Sequence, residues 1–136
     1  MVIKVKYTYM AFRFEELKVW HLAADLSNEI DLLAKSFPIE ERFSLASQIK
    51  RAADSVVLNI AEESTGQSIP EFKRFLNIAL RSAIEVVACL FLAEKRNYVS
   101  NDVFKKHYES YEVICKMITK LFIKSVLEPL KKRMQQ

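Results

Sequence analysis

The chain has 136 residues, 51% apolar and 28% charged, with one glycine, three prolines and a net charge of +4. That length is one domain with room for one core, and so little glycine and proline excludes a strand-and-turn protein, which needs many turn residues. The mild charge excess does not by itself imply nucleic acid. Two cysteines, Cys89 and Cys115, without a secretory signal pattern suggest a reducing, cytoplasmic setting. No apolar run approaches the ~18 residues of a membrane-spanning helix, so no membrane partner is expected.

Residues 1–13 alternate, with Val2, Lys4, Lys6 and Thr8 set against Ile3, Val5, Tyr7 and Tyr9. Period two suggests an extended arm, but a strand without a partner is not stable. A flexible leader is the expectation, and an arm pairing with a second subunit is the alternative. Residues 14–128 read as a helical bundle and residues 129–136 as a basic tail.

A first helix is predicted over residues 15–35. Val19, Leu22, Leu26, Ile30, Leu33 and Phe37 form its core stripe, with a second stripe of Leu17, Trp20 and Ala24 beside it. Pro38 suits the first turn of a second helix over 38–63, striped by Leu45, Ile49, Ala52, Val56 and Ile60. Gly66 sits where a left-handed cap is needed. Ser68, Pro70 and Glu71 then read as N-cap, first-turn proline and capping-box acid.

The third helix is predicted over 69–96, with Phe72, Leu76, Ala79, Ala83, Val86 and Leu90 on one face. From 83 to 93 every residue except Glu85 is apolar. A helix apolar all round is buried all round, which one four-helix bundle does not achieve, so a homo-oligomer is expected. Residues 97–99 are a link and Ser100 caps a fourth helix. Its expected seam is Phe104, Tyr108, Tyr111, Cys115, Ile118, Phe122 and Ser125. Pro129 should end or kink it, and the last residues should fray. The fold class is therefore all-α, an up-down-up-down antiparallel four-helix bundle.

Glu85 is the one carboxylate in its apolar stretch, and Arg51 falls near its level on the facing helix, so a structural Arg51–Glu85 ion pair is expected. A general acid or base with a raised pKa is the functional alternative. Glu62 lies at the wrong helix end for negative charge and is expected to cap the start of the third helix, with a metal site as the weaker reading. His21 and His107 read as surface or interface residues. Cys89 should face the region of Tyr108 rather than Cys115, so no disulfide is expected.

There is no glycine-rich phosphate loop, HExxH or CxxC, and no catalytic residue, cofactor or metal is expected. The strongest functional feature is basic. Lys116, Lys120 and Lys124 repeat every four residues, followed by Lys131, Lys132 and Arg133, with only Glu112 and Glu128 interrupting. Such a stripe could contact a phosphate backbone; equally, it could be a solvated face that suits the negative end of the helix.

FEELKVWHLAADLS, QIKRAADSVVLNIAEE, EFKRFLNIALRSAIE and NYVS together resemble the four-helix-bundle proteins encoded in intervening sequences of bacterial 23S ribosomal RNA genes. The most telling residues are Lys18-Val19-Trp20, Arg51, Ser55, Asn59 to Glu62, Phe72 with Phe75, and Ala79 with Ser82 and Glu85. The resemblance implies a cytoplasmic bundle assembling into a ring, commonly a homopentamer, with no established catalytic activity. It also implies kinship with accessory proteins of diversity-generating retroelements, which bind nucleic acid and a reverse transcriptase. Arg51, Asn59, Glu62, Ser82 and Glu85 are then structural polar residues. Glu63 and Arg81 stand where that pattern has glycines, and Val86 to Cys89 replace a more polar segment. The expected function is a non-enzymatic oligomer binding RNA or a ribonucleoprotein partner through the fourth helix, or else a protein assembly scaffold without nucleic-acid contact.

Overall fold

The computed structural model describes residues 12–65 and 68–136. Gly66 and nearly all of the expected N-terminal arm lie outside the described residues. Four helices make the bundle: α1 (Lys18–Lys35), α2 (Leu45–Glu63), α3 (Ile69–Lys95) and α4 (Asn101–Met134). No strand occurs among the described residues.

Side-chain pairs fix the antiparallel register. Ser27 Oγ donates to Asp54 at 2.6 Å and Lys50 pairs with Asp31 at 2.7 Å, tying α1 to α2. Ser55 and Ser82 meet at 2.8 Å and Gln48 donates to Glu85 at 3.2 Å, tying α2 to α3. Lys106 and Glu29 pair at 3.3 Å between α4 and α1. The α2–α3 interface is the most extensive, and α1 meets α4 along a narrower seam. Small residues bring α2 and α3 close, since Ala52, Ala53, Ala79 and Ala83 are all buried between the larger Ile49, Val56, Leu76 and Val86.

Two helices start later than the periodicity predicts. Residues 13–16 form a separate 3-10 turn, and extended Leu17 breaks it from α1. The break lets Phe14 fold back onto Trp20, with ring centroids 4.6 Å apart. Before α2, Ile39–Glu41 is likewise a 3-10 turn. The Glu41 carboxylate accepts from the Leu45 N–H at 3.2 Å and from Ser44 Oγ at 3.1 Å, so a carboxylate rather than Pro38 sets where α2 begins.

The α3 boundaries follow the sequence closely. Ser68 Oγ accepts from the Glu71 N–H at 3.3 Å and Pro70 sits in the first turn. At the far end Asn97 adopts φ 59°, and the Tyr98 N–H reaches the Ala93 carbonyl at 2.8 Å. That is a left-handed C-terminal cap, which asparagine tolerates better than other residues with a side chain beyond glycine.

The fourth helix departs from expectation twice. Of the two expectations for Pro129, ending the helix does not hold, because α4 runs through it to Met134. Its buried face is His107, Tyr111, Ile114 and Ile118. Tyr111 and Ile118 belong to the expected seam. Phe104 and Tyr108 sit at its edge, where both rings meet Phe91 of α3. His107 is therefore a core residue, not a surface one. At 34 residues α4 is much the longest helix, ~51 Å by a rise of 1.5 Å per residue, and its C-terminal turns pass beyond the start of α1.

By length and composition α3 reaches the threshold for crossing a bilayer, contrary to the expectation from apolar runs. Its buried face packs into the bundle core through Leu76, Ala79, Ala83, Val86, Leu90 and Ala93. It is not buried all round within one chain: Ile84 is 57% exposed, Phe91 45% and Leu92 42%.

Candidate binding face on helix four

The lysines singled out on α4 are exposed. Lys116 pairs with Glu112 at 3.6 Å and Lys124 with Glu128 at 3.8 Å, each one turn apart on the same helix. Exposed pairs of this kind are weak and leave the lysines free to exchange partners. Lys131, Lys132 and Arg133 are exposed in the last turns, where the helix dipole favours cations.

Three of these residues share a groove. Lys120, Lys124 and Lys131 line a depression of about 670 Å³ between the start of α1 and the C-terminal half of α4, together with Lys18 and Glu128. The rest of its lining is apolar: Leu17, Val19, Met117, Leu121, Ile123 and Leu127. Lys116 lies outside it, lining a shallower depression with Thr119 and Lys120.

The other polar residues separate into two groups. Asn59 Nδ2 donates to the Ser55 carbonyl at 2.8 Å and to Ser55 Oγ at 3.1 Å, and Ser55 meets Ser82. Asn59 and Ser82 are thus joined through Ser55 into a polar rung inside the α2–α3 interface. Arg51 and Glu85 do not pair. Both are exposed, and Glu85 accepts from Gln48 instead. The two residues share a height on the hairpin but not a direction around their helices.

Glu62 is exposed and does not cap α3, a role taken by Ser68. The buried carboxylate is its neighbour Glu63, 2% exposed, whose Oε2 has no hydrogen-bond partner among the described residues. Burial pushes its pKa up to about 7, against the pull of the Arg13 guanidinium. A signal for this was present in the sequence. Glu63 continues the stripe of Ile49, Ala52, Val56 and Ile60 at helical spacing.

No arrangement of groups suited to nucleophilic catalysis appears among the described residues. Burial pushes the Cys89 thiol up to about 11, with Glu85 adding to the shift, and burial likewise raises Cys115. Both cysteines are free thiols. Burial lowers the His107 pKa, which disfavours its cationic form. No group of three or more His, Cys, Asp or Glu suited to a metal ion occurs among the described residues.

Known proteins place this architecture. The profile of the 23S rRNA-intervening sequence protein family matches residues 15–120. This chain belongs to that family. A crystal structure of a protein of unknown function from the S23 ribosomal protein family of Bacteroides thetaiotaomicron is similar in fold, with a TM-score of 0.72 and 27% identity. The likeness covers 76% of this chain and 94% of that one. No curated protein matches the chain. The family match takes in α1, α2, α3 and α4 as far as Lys120, so it includes Leu17, Lys18, Val19, Met117 and Lys120 of the groove but not its lining from Leu121 to Lys131. Neither the family nor the Bacteroides protein is described by an enzymatic activity.

Proposed function

We propose that this member of the 23S rRNA-intervening sequence family is a non-enzymatic, homo-oligomeric bundle protein of the cytoplasm whose α4 presents a basic face to RNA, free or within a ribonucleoprotein. The observation that supports this most directly is the exposed row of Lys116, Lys120 and Lys124, one turn apart and continued by Lys131, Lys132 and Arg133. Lysines at that spacing on a rigid helix can follow a phosphate backbone, and their release of counterions makes the affinity fall as salt rises. The bundle supplies rigidity rather than chemistry: its buried polar groups are structural and its thiols are held protonated.

Filter binding with structured RNA at low and at physiological salt tests the reading. Affinity should fall steeply with salt and should be lost in the K116E/K120E/K124E variant. Absence of binding even at low salt removes the proposal.

The second reading is an assembly scaffold that contacts only protein. It is favoured by the apolar residues left outside the core on α3, namely Ile84, Phe91 and Leu92, a face that a second copy would cover. The family resemblance makes a pentameric ring the expected assembly, with a nucleic-acid-associated protein such as a reverse transcriptase as the candidate partner. Partners that survive nuclease treatment in a pull-down favour this reading over direct RNA contact.

A further inference from the structure

We infer that the corner between α1 and α2 is a second RNA contact, where the Phe43 ring stacks on an unpaired base while Lys35, Arg42 and Lys50 hold the adjoining phosphates. The inference rests on the reading of the protein as RNA-binding for the class of ligand alone. The site is a separate one, at the opposite end of the bundle from Lys131, Lys132 and Arg133.

The corner leaves in water an aromatic ring that the core does not use. Phe37 and Leu45, on either side of it in sequence, are buried and fill this end of the core, and the Phe37 ring meets Tyr98 with centroids 5.6 Å apart. Phe43 stays outside at 88% exposed, more than any other aromatic side chain among the described residues. Ile39, in the same depression, is 73% exposed. The backbone beneath the ring is held in place. The N–H groups of Glu41, Arg42 and Ser44 donate to the carbonyls of Pro38, Ile39 and Glu41 at 2.9, 3.1 and 3.0 Å. The Arg42 guanidinium lies over the Phe43 ring, 5.3 Å from its centroid, and leaves the opposite face open.

The charge around the ring suits a polyanion. Lys35, Arg42 and Lys50 line the depression, which measures about 550 Å³, and Asp31 is the one carboxylate in its lining. Lys50 and Lys35 both pair with Asp31, at 2.7 and 3.1 Å, so two ammonium groups converge on one anion and remain net positive. An ammonium has three donors, so phosphate oxygens can join these lysines without displacing Asp31. A ring beside convergent cations is the way single strands are gripped: the ring takes a base face and the cations take the backbone. Bases inside a duplex are already stacked on both sides, so the ring selects unpaired nucleotides.

A protein partner fits this corner less well. The exposed apolar surface is one ring and one isoleucine. A ring offers roughly 150–250 Å², far below the ~800 Å² that each partner gives to a stable interface. A second copy in a two-fold contact would bring the same three cations against these.

The probe is a fluorescein-labelled single-stranded RNA of ~10 nucleotides without self-complementarity, a length typical of single-strand sites. It is compared with a fully paired RNA duplex, using the full chain and fluorescence anisotropy. F43A should weaken single-strand binding by roughly fivefold to a hundredfold, the stacking of one base, and leave duplex binding unchanged. F43W should retain binding. F43L should behave like F43A, because it keeps apolar bulk without a π face. K35Q and R42Q should each weaken binding and reduce its salt slope by roughly 0.7. Lys35, Arg42 and Phe43 are exposed, so these variants keep the fold, which circular dichroism checks.

Equal single-strand affinity of F43A and the parent overturns the inference. So does parental affinity in F43L, since bulk rather than a ring face would then be at work, and so does an equal loss of duplex binding in F43A. A lower subunit number in F43A, read by light scattering, marks the corner as a contact between copies and overturns it too. Single-strand binding that is lost in K116E/K120E/K124E but intact in F43A removes this site and leaves the α4 reading standing. The converse pattern removes the α4 reading and leaves this site. No RNA binding by the parent at low salt removes both.

Discussion

Ser55 and Ser82 face each other across the α2–α3 interface with their hydroxyl oxygens 2.8 Å apart, and Asn59 closes the group by donating to Ser55. Removing the middle hydroxyl takes the Ser82 hydroxyl's partner away and leaves Asn59 only the Ser55 carbonyl. Ser55→Ala is therefore expected to destabilise the bundle by about 1–3 kcal/mol, the cost of partly buried polar groups left without partners. Ser55→Ala with Ser82→Ala should cost less than the two single changes added together. Urea denaturation of the four proteins in the cycle reads the coupling.

Glu63 makes stability depend on pH in a direction opposite to that of most carboxylates. Its folded pKa of about 7 lies above the ordinary 4.5. Between these values the folded chain holds a proton that the unfolded chain has released, so stability falls as pH rises through this window and levels off above it. Glu63→Gln should flatten that slope and raise the melting temperature at about pH 8, with little change well below the ordinary carboxylate range. An unchanged slope in the variant would show that another group governs it.

Glu41 should behave conventionally. Burial works to raise its pKa, but hydrogen bonds from Ser44 and the Leu45 N–H, with Arg96 and Tyr98, carry it below the usual value. A depressed carboxylate stabilises above its unfolded pKa, and that contribution is lost as pH falls through the folded one. Glu41→Ala should lower the melting temperature at neutral pH and lose helical signal from the start of α2. The difference from the parent should shrink in acid.

The thiol of Cys89 should resist modification. With the pKa pushed up to about 11 and the side chain buried, it should react with a maleimide only as fast as the bundle opens. Reaction should speed up with urea, and mass spectrometry can follow Cys89 separately from Cys115. Rapid labelling of Cys89 in the native protein would contradict the buried placement.

Ile84 tests the apolar face of α3. It is exposed in the single chain, so Ile84→Asp should not disturb the core. If copies associate through this face, light scattering should report a lower mass for the variant than for the parent. Equal masses would place any association elsewhere.

The sequence carried the helices well because their ends are written in side chains beside them. Ser68, Pro70 and Glu71 mark the start of α3 by local chemistry that needs no tertiary context. The start of α2 was not legible in the same way. Pro38 permits a helix, but the Glu41 carboxylate reaches forward to Leu45, and it is also held by Arg96 and Tyr98 from the corner between α3 and α4, more than fifty residues away in sequence. The basic residues of α4 were legible as a set. Their division between a groove and an open face was not, because it depends on where α1 begins. The Arg51–Glu85 expectation failed on azimuth: height along a hairpin follows from counting, whereas the direction of each side chain turns by about 100° per residue. His107 was misplaced because α4 offers two neighbouring faces and periodicity alone does not say which one the core takes.

Glu41 clasps the two loops at one end of the molecule, joining the corner after α1 to the Arg96–Tyr98 corner before α4. At the opposite end lie Glu63, whose Oε2 has no partner among the described residues, and the C-terminal turns of α4. The bundle consequently has a hinge side and a mouth. Thermal breathing should start where Glu63 sits and travel toward Glu41, so that amide exchange is graded along the rods with the fastest protons at the mouth.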